Sequence, residues 1–394
     1  MNKNIEIITK KECTGCGVCV VNCPKKCISM VYDDEGFLYP NINQSDCINC
    51  GLCVQTCQVV NKLSLKSNLC SYGVIGKNSD ILQHSSSGAL FSTLANYFIE
   101  DLKGYIVGCI MDEEGNVFHQ ITNEQKNIYN MCGSKYVQST VEHVYLKVKK
   151  LLNDNQYVLF TGTPCEIAGL YNFLKRDYDT LLTIDLICHG TPSPLQWKKE
   201  YQLLKKKYNF DEIKFRYKDK FNKTEYALSL FSNRKLVKRI YWPRNGFYSL
   251  FIKSKNLRLS CYFCPFSTNK RIGNMTMGDL GSSKVYSNFF PYLATSCLFI
   301  NDKKGELFWK KTKKLFEYIE IDHKIEEHNN LALIKPESIK KRLSSQELQE
   351  CIKNPEYLKK YRINLSLKAI IKLFIKQLVP VKTREYIKSF IRGG

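Results

Sequence analysis

Eight cysteines in two copies of one spacing constrain this chain more than any other feature. Cys13, Cys16, Cys19 and Cys23, followed by Pro24, read C-x2-C-x2-C-x3-C-P, and Cys47, Cys50, Cys53 and Cys57 repeat the spacing. Such short gaps let a tight loop aim successive thiolates at one iron-sulfur cubane, while the fourth cysteine of each run reaches across to the other cluster. One 4Fe-4S cluster is therefore expected on Cys13, Cys16, Cys19 and Cys57, and a second on Cys47, Cys50, Cys53 and Cys23. Zinc is the alternative, but four-cysteine zinc sites normally come as two separated C-x2-C pairs. The C-x3-C-x2-C triplet of radical enzymes occurs nowhere in the chain. Between the runs, residues 28–32 and 37–40 flank Asp33-Asp34-Glu35-Gly36, the pattern of a hairpin in a bacterial-type two-cluster ferredoxin fold. Two departures stand out. Cys57 is followed by Gln58 where proline is usual, and Cys27, outside the ligand scheme, is assigned to buried packing.

At 394 residues the chain is longer than such a module needs, which leaves sequence for a larger body with its own core. Eighteen cysteines would suggest disulfides in a short secreted chain, but the start MNKNIEIITKK is polar and carries no apolar leader. A reducing, cytoplasmic setting is expected, with the cysteines as ligands or free thiols. The longest apolar runs, residues 181–188 and 292–300, are too short to span a bilayer, so the chain should be soluble or peripheral. The net charge of +22 raises nucleic acid as a partner. That count treats every cysteine as neutral and omits the negative charge of thiolate-bound clusters. The excess is also uneven: residues 1–70 hold seven Lys/Arg against six Asp/Glu, and residues 331–394 hold fifteen against five. With the positive residues dispersed and no recognition motif present, no nucleic-acid partner is expected.

Composition divides the chain into a cluster module (1–65), a mixed α/β body (66–330) and a basic helical C-terminal stretch (331–394), an α+β architecture overall. In the body, residues 105–112 and 117–122 read as a hairpin. Val141, Val144, Tyr145, Val148, Leu151 and Leu152 fall at helical spacing before a strand at 157–160. Ile167, Leu170, Tyr171 and Leu174 mark the next helix, before a strand at 181–187. Further strands are read at 225–231 and 274–278. In the last helix Leu367, Ile370, Ile371, Phe374 and Leu378 share a face, with Lys368, Lys372 and Lys376 on another. This helix is a candidate for peripheral membrane contact, although a packed helix with solvated lysines is the commoner case.

Cys165 in Thr161-Gly162-Thr163-Pro164-Cys165 and Cys188 in Ile187-Cys188-His189-Gly190 each follow a predicted strand. In a parallel unit both lie at the carboxyl edge of the sheet, where α/β folds bind ligands. Cys261 and Cys264 form a C-x2-C pair that would complete four ligands for a third 4Fe-4S cluster; buried cysteines beside an unrelated pair are the alternative.

These strings, with Ser85-Ser86-Ser87-Gly88, Gly133-Ser134-Lys135-Tyr136 and Met277-Gly278-Asp279, resemble the beta subunit of coenzyme F420-reducing hydrogenase and its dehydrogenase relatives over residues 8–300. The likeness is greatest to a bacterial branch often found among polysaccharide-biosynthesis genes. The resemblance implies FAD in the body near a cluster, held by Ser85, Ser86, Ser87, Gly88, Gly133, Ser134, Lys135, Tyr136 and Thr163. In physical terms, residues 85–88 are expected to open a helix through Leu90, Leu94 and Phe98, whose N–H groups and dipole could hold a pyrophosphate; an ordinary N-cap is the alternative. Lys135 reads as a flavin or phosphate contact or a solvated lysine, His189 as a site or structural histidine, and Asp279 as a site or turn residue. Clusters move single electrons and a hydride partner needs two, so a flavin is the expected converter. No G-x-G-x-x-G follows a strand, which removes NAD as the default partner. The expected function is an iron-sulfur flavoprotein oxidoreductase acting on F420 or an unsaturated or glycan-pathway small molecule, with ferredoxin as a donor. The alternative is a non-catalytic electron-delivery subunit. Catalytic residues are not identifiable from the sequence.

Overall fold

A computed structural model describes residues 4–219, 226–289, 294–380, 383, 384 and 386. In the N-terminal part, β1 (Ile28–Tyr32) pairs antiparallel with β2 (Leu38–Ile42). The turn between them closes on Asp33, whose carboxylate accepts hydrogen bonds from the N–H groups of Glu35 and Phe37. Two four-residue helices, Val18–Val21 and Leu52–Gln55, each start after a left-handed glycine, Gly17 (φ 70°) and Gly51 (φ 76°). These glycines follow Cys16 and Cys50, so each half of the module turns its chain at the same point of the cysteine run. Ile5, Ile28 and Ile42 form the small core together with Cys19, Cys27, Cys53 and Cys57.

The remaining strands are β3 (Cys70–Gly76), β4 (Tyr105–Met111), β5 (Val117–Thr122), β6 (Val158–Gly162), β7 (Leu181–Leu186) and β8 (Glu212–Lys214), then β9 (Ala227–Ser232), β10 (Lys235–Tyr241), β11 (Met275–Asp279), β12 (Ser296–Ile300) and β13 (Phe316–Glu320). Eight of them form one sheet in the order β13-β3-β12-β11-β7-β6-β4-β5. Its centre is parallel, β4 beside β6, β6 beside β7 and β7 beside β11, and antiparallel strands complete both flanks. Every residue of β6 is buried, as expected of a central strand covered on both faces. The helix Pro164–Leu174 returns the chain from β6 to β7. Proline stands at its first turn, and the Glu166 carboxylate accepts the Thr163 N–H. The mixed α and β architecture expected from the sequence is present.

A second, three-stranded sheet, β10-β9-β8, carries an aromatic core with Trp197, Phe215, Phe247, Tyr248 and Phe251. Leu343, Leu348, Cys351 and Leu358 from the basic C-terminal stretch are buried in the same core, where Leu358 passes so close to Gly246 that a side chain there would strike its carbonyl. Beyond them the helix Leu367–Leu378 leaves Leu367, Ile371, Ile375 and Leu378 exposed. Glu225, the side chains of Ile370, Lys372, Phe374 and Lys376, and residues 387–394 lie outside the described residues.

Candidate functional site

The two cysteine runs line two small, partly open cavities. One is lined by Cys13, Cys16, Cys19 and Cys57, the other by Cys23, Cys47, Cys50 and Cys53. The crossed grouping drawn from spacing is thus the grouping that the fold brings together. Burial raises the Cys16 thiol, takes Cys57 up to about 12 and lifts Cys19 well above its ordinary range. Thiols held this way ionise together only around a cationic core. Among the described residues no three Cys, His, Asp or Glu side chains close around a point fit for one metal ion. The donor set at each cavity is four thiols, the set that a 4Fe-4S cluster takes. Cys27 is buried in the module core and also lines the second cavity, its Sγ 3.4 Å from that of Cys23.

A third set of thiols lies at the carboxyl edge of the large sheet. Cys165 is in the first turn of the helix after β6, and Cys188 stands two residues beyond β7. Burial pushes both thiols far up, with Glu166 and then Cys264 and Cys188 adding to it at Cys165, and Cys261 and Cys264 at Cys188. Burial and then Cys261 take Cys264 up to about 11. Cys165 is thus within electrostatic reach of Cys188 and Cys264, and Cys188 of Cys261 and Cys264. Arg271 steadies this group: fully buried, it donates from Nε and Nη2 to Asp185 of β7, at 3.1 and 2.7 Å, and from Nη1 to the carbonyls of Phe266 and Thr268. That bracket holds the loop after Cys264 against the strand that leads to Cys188.

The module packs on this edge through its first cysteine loop. Tyr145 donates to the Cys16 carbonyl at 3.1 Å, and a side chain at Gly169 would meet Cys16. Gln58, the residue in place of proline, donates to Thr14 Oγ1 at 2.9 Å and to the Cys165 carbonyl at 2.8 Å. It ties the first cavity to the third thiol set. The sequence marked the position as a departure, without the long-range partner that explains it.

The residues expected around FAD divide. Ser86 Oγ accepts from the Ser134 N–H at 2.8 Å, and Gly133 beside it has left-handed φ (83°) with only Ser86 Oγ, 3.8 Å away, near a would-be Cβ. The space beside Gly133 is therefore open, next to the Ser86–Ser134 hydrogen bond. Ser85 and Ser87 turn inward, Ser85 to Ser92 and the Ile81 carbonyl, Ser87 to the Thr295 carbonyl. The expectation that residues 85–88 open the helix is corrected: it begins at Leu90 after left-handed Ala89, because Gly88 is wedged against the backbone of Val74 and Ser296. Lys135 donates to the carbonyls of Asn130 and Cys132, and burial lowers its pKa. Tyr136 stacks on Phe251 in the aromatic core, at a centroid distance of 4.7 Å. Thr163 sits 3.2 Å from Cys165 Sγ, with the third thiol set and not with the serines.

Lys218, which no sequence pattern marks, donates to the Ser87 carbonyl at 2.5 Å. Burial, then the neighbouring Arg216, lowers its pKa to about 8. His189 is hydrogen-bonded to Ser254 and faces Glu337, the structural alternative for this residue. Asp279 ends β11 in an ion pair with buried Arg216, near Lys218.

Paired thiol cavities docked on a third thiol set define an electron-transfer protein of the iron-sulfur oxidoreductase class. Residues 12–60 match the 4Fe-4S dicluster domain family, and residues 155–325 match the family described as the C terminus of the coenzyme F420 hydrogenase/dehydrogenase beta subunit. The chain therefore joins a 4Fe-4S dicluster domain to a region related to F420 hydrogenase beta subunits, as its sequence strings led us to expect. A chain in the xenon-derivatized F420-reducing NiFe hydrogenase complex from Methanosarcina barkeri is similar at 15% identity and a TM-score of 0.47, covering 67% of this chain and 89% of that one. No curated protein matches the sequence.

Proposed function

We propose that this chain is an iron-sulfur flavoprotein that passes electrons between 4Fe-4S clusters and a two-electron partner through FAD. Cys13, Cys16, Cys19 and Cys57 hold one cluster, Cys23, Cys47, Cys50 and Cys53 a second, and Cys165, Cys188, Cys261 and Cys264 a third. Residues 1–65 act as the cluster module, 66–330 as the flavin body and 331–394 as a basic extension.

The observation that carries this reading is residues 133–139, one short segment that touches the Ser86 side, the first cysteine loop and the third thiol set. Ser134 bonds Ser86 beside the open space at Gly133, Gln138 donates to the Thr14 carbonyl beside Cys13, and Ser139 donates to Glu166 next to Cys165. Five residue steps from Ser134 to Ser139 span at most ~18 Å. Bound FAD would exchange two electrons with a small molecule and single electrons with the clusters. The chain's own share is placement: Ser86, Gly133, Ser134 and Lys218 receive the anionic pyrophosphate, and Gln58 keeps the module against the body. The partner is F420 or an unsaturated or glycan-pathway compound, with reduced ferredoxin as donor, in the cytoplasm, and the exposed C-terminal helix supplies a peripheral membrane contact.

Anaerobic purification with iron and flavin counting tests the reading, followed by reduction with F420H2, NADH or reduced ferredoxin. About twelve irons and one FAD per chain are expected. Full iron without flavin would instead favour an electron-delivery subunit, a reading that the match to a subunit family also supports.

A further inference from the structure

Arg258 is only 1% exposed, yet among the described residues no carboxylate lies within 4.0 Å of its guanidinium. A buried cation without a counter-charge is costly, and its neighbours indicate what supplies that charge. Nε donates to the Cys13 carbonyl at 2.9 Å, Nη2 points at Cys13 Sγ from 3.7 Å, and Nη1 donates to Gln138 Oε1 at 3.1 Å. The guanidinium Cζ lies 4.0 Å from the Tyr39 ring centroid. Its own carbonyl accepts the Cys261 N–H at 2.9 Å. Gly15 is fitted to it: the backbone there is left-handed at φ 74°, and a Cβ would come within 3.0 Å of Nη1. The charge is therefore fixed by three side chains, and it stands between the first cluster cavity and the third thiol set.

We propose that Arg258 is a redox-positioning residue whose fixed positive charge neutralises the thiolate-bound cluster at Cys13 and raises its reduction potential relative to the cluster at Cys23, Cys47, Cys50 and Cys53. The inference rests on the cluster assignment proposed above. One-electron reduction makes a cluster more negative, so a cation held beside one ligand stabilises the reduced form. The outer cavity is lined by one lysine, Lys25, but it is exposed and its charge is screened by water, whereas Arg258 is buried. Electrons are thereby biased toward the cluster that abuts the body.

The test is an EPR-monitored redox titration of the iron-loaded full chain, wild type against Arg258→Met, Arg258→Gln and Arg258→Lys. The signal of the inner cluster is assigned by its change in Cys13→Ser. In the methionine and glutamine variants its midpoint should fall by about tenfold in the one-electron equilibrium, or ~59 mV, while the outer cluster's midpoint stays fixed. Lysine should retain most of the wild-type value. A chain that loads iron with lysine but with neither neutral residue also supports the inference, since charge and not shape is then what loading requires. Unchanged midpoints at full iron content in the neutral variants overturn it, as does failure of all three variants to load. Wild-type protein without cluster signals defeats the cluster assignment itself, and this inference with it.

Discussion

Lys218 combines a charge, a low pKa and a hydrogen bond to the carbonyl of Ser87, the residue after Ser86. Its folded pKa of about 8 lies below the ordinary lysine value of 10.5, because burial and Arg216 disfavour the ammonium. Below pH 8 the side chain is charged and available to a phosphate; above it, an anionic ligand must first restore the proton. FAD affinity, read by flavin fluorescence quenching, should therefore be flat below pH 8 and weaken as pH rises past it. Lys218→Gln should cost about tenfold in affinity at pH 7, ~1.4 kcal/mol, and remove the pH dependence. An unchanged Kd would remove Lys218 from the site. At this scale, legibility followed locality. The eight module cysteines lie close together along the chain, so their spacing alone groups them as the folded cavities do. Gln58 and Lys218 act through partners more than a hundred residues away, and a single glutamine or a lysine in a Lys-rich stretch leaves no periodic trace.

Among the elements, the unit β6, helix Pro164–Leu174 and β7 was legible because an apolar strand, a helical stripe and a second apolar strand follow in order. The entry of β12 between β3 and β11 was not, since residues so far apart in sequence pair only once the body has formed. The same remoteness hid the wedge of Gly88 against Ser296 that delays the next helix to Leu90. The carboxyl end of β7 carries a testable consequence. Asp185, fully buried, accepts not only Arg271 but the N–H groups of Ile272 and Gly273 at 3.1 and 2.8 Å. Removing the cation leaves that carboxylate uncompensated, so Arg271→Met should destabilise the body by ~3–5 kcal/mol in anaerobic urea unfolding. Because Arg271 also holds the loop after Cys264, the variant should lose about four irons, those of the third set, before the module loses any. Loss of stability with full iron retention would separate the ion pair from the cysteine edge.

For the whole molecule the unresolved quantity is charge. Clusters offset part of the +22, yet the C-terminal stretch keeps its excess, fifteen basic residues against five acidic ones. Part of that stretch is committed to the fold, since Leu343, Leu348 and Leu358 are buried and Arg342 pairs with Glu35 of the module. In the helix Leu367–Leu378 the apolar side chains of Leu367, Ile371, Ile375 and Leu378 are exposed. They recur at helical spacing, 73, 50, 44 and 60% exposed, on a chain that continues through Lys382, Arg384, Lys388 and Arg392. No helix among the described residues is long and apolar enough to cross a membrane. An exposed apolar stripe beside dense positive charge instead matches the interface of an anionic bilayer, where each basic residue contributes about 1 kcal/mol near the surface. Truncation after Leu365 spares the buried leucines and the Ile363 N–H bond to the Pro243 carbonyl. The shortened chain should keep its iron and its unfolding midpoint, but lose co-sedimentation with phosphatidylserine vesicles at physiological salt. Ile371→Glu in the full chain should act likewise. Equal sedimentation of the full and shortened chains would assign the stripe to a partner other than lipid.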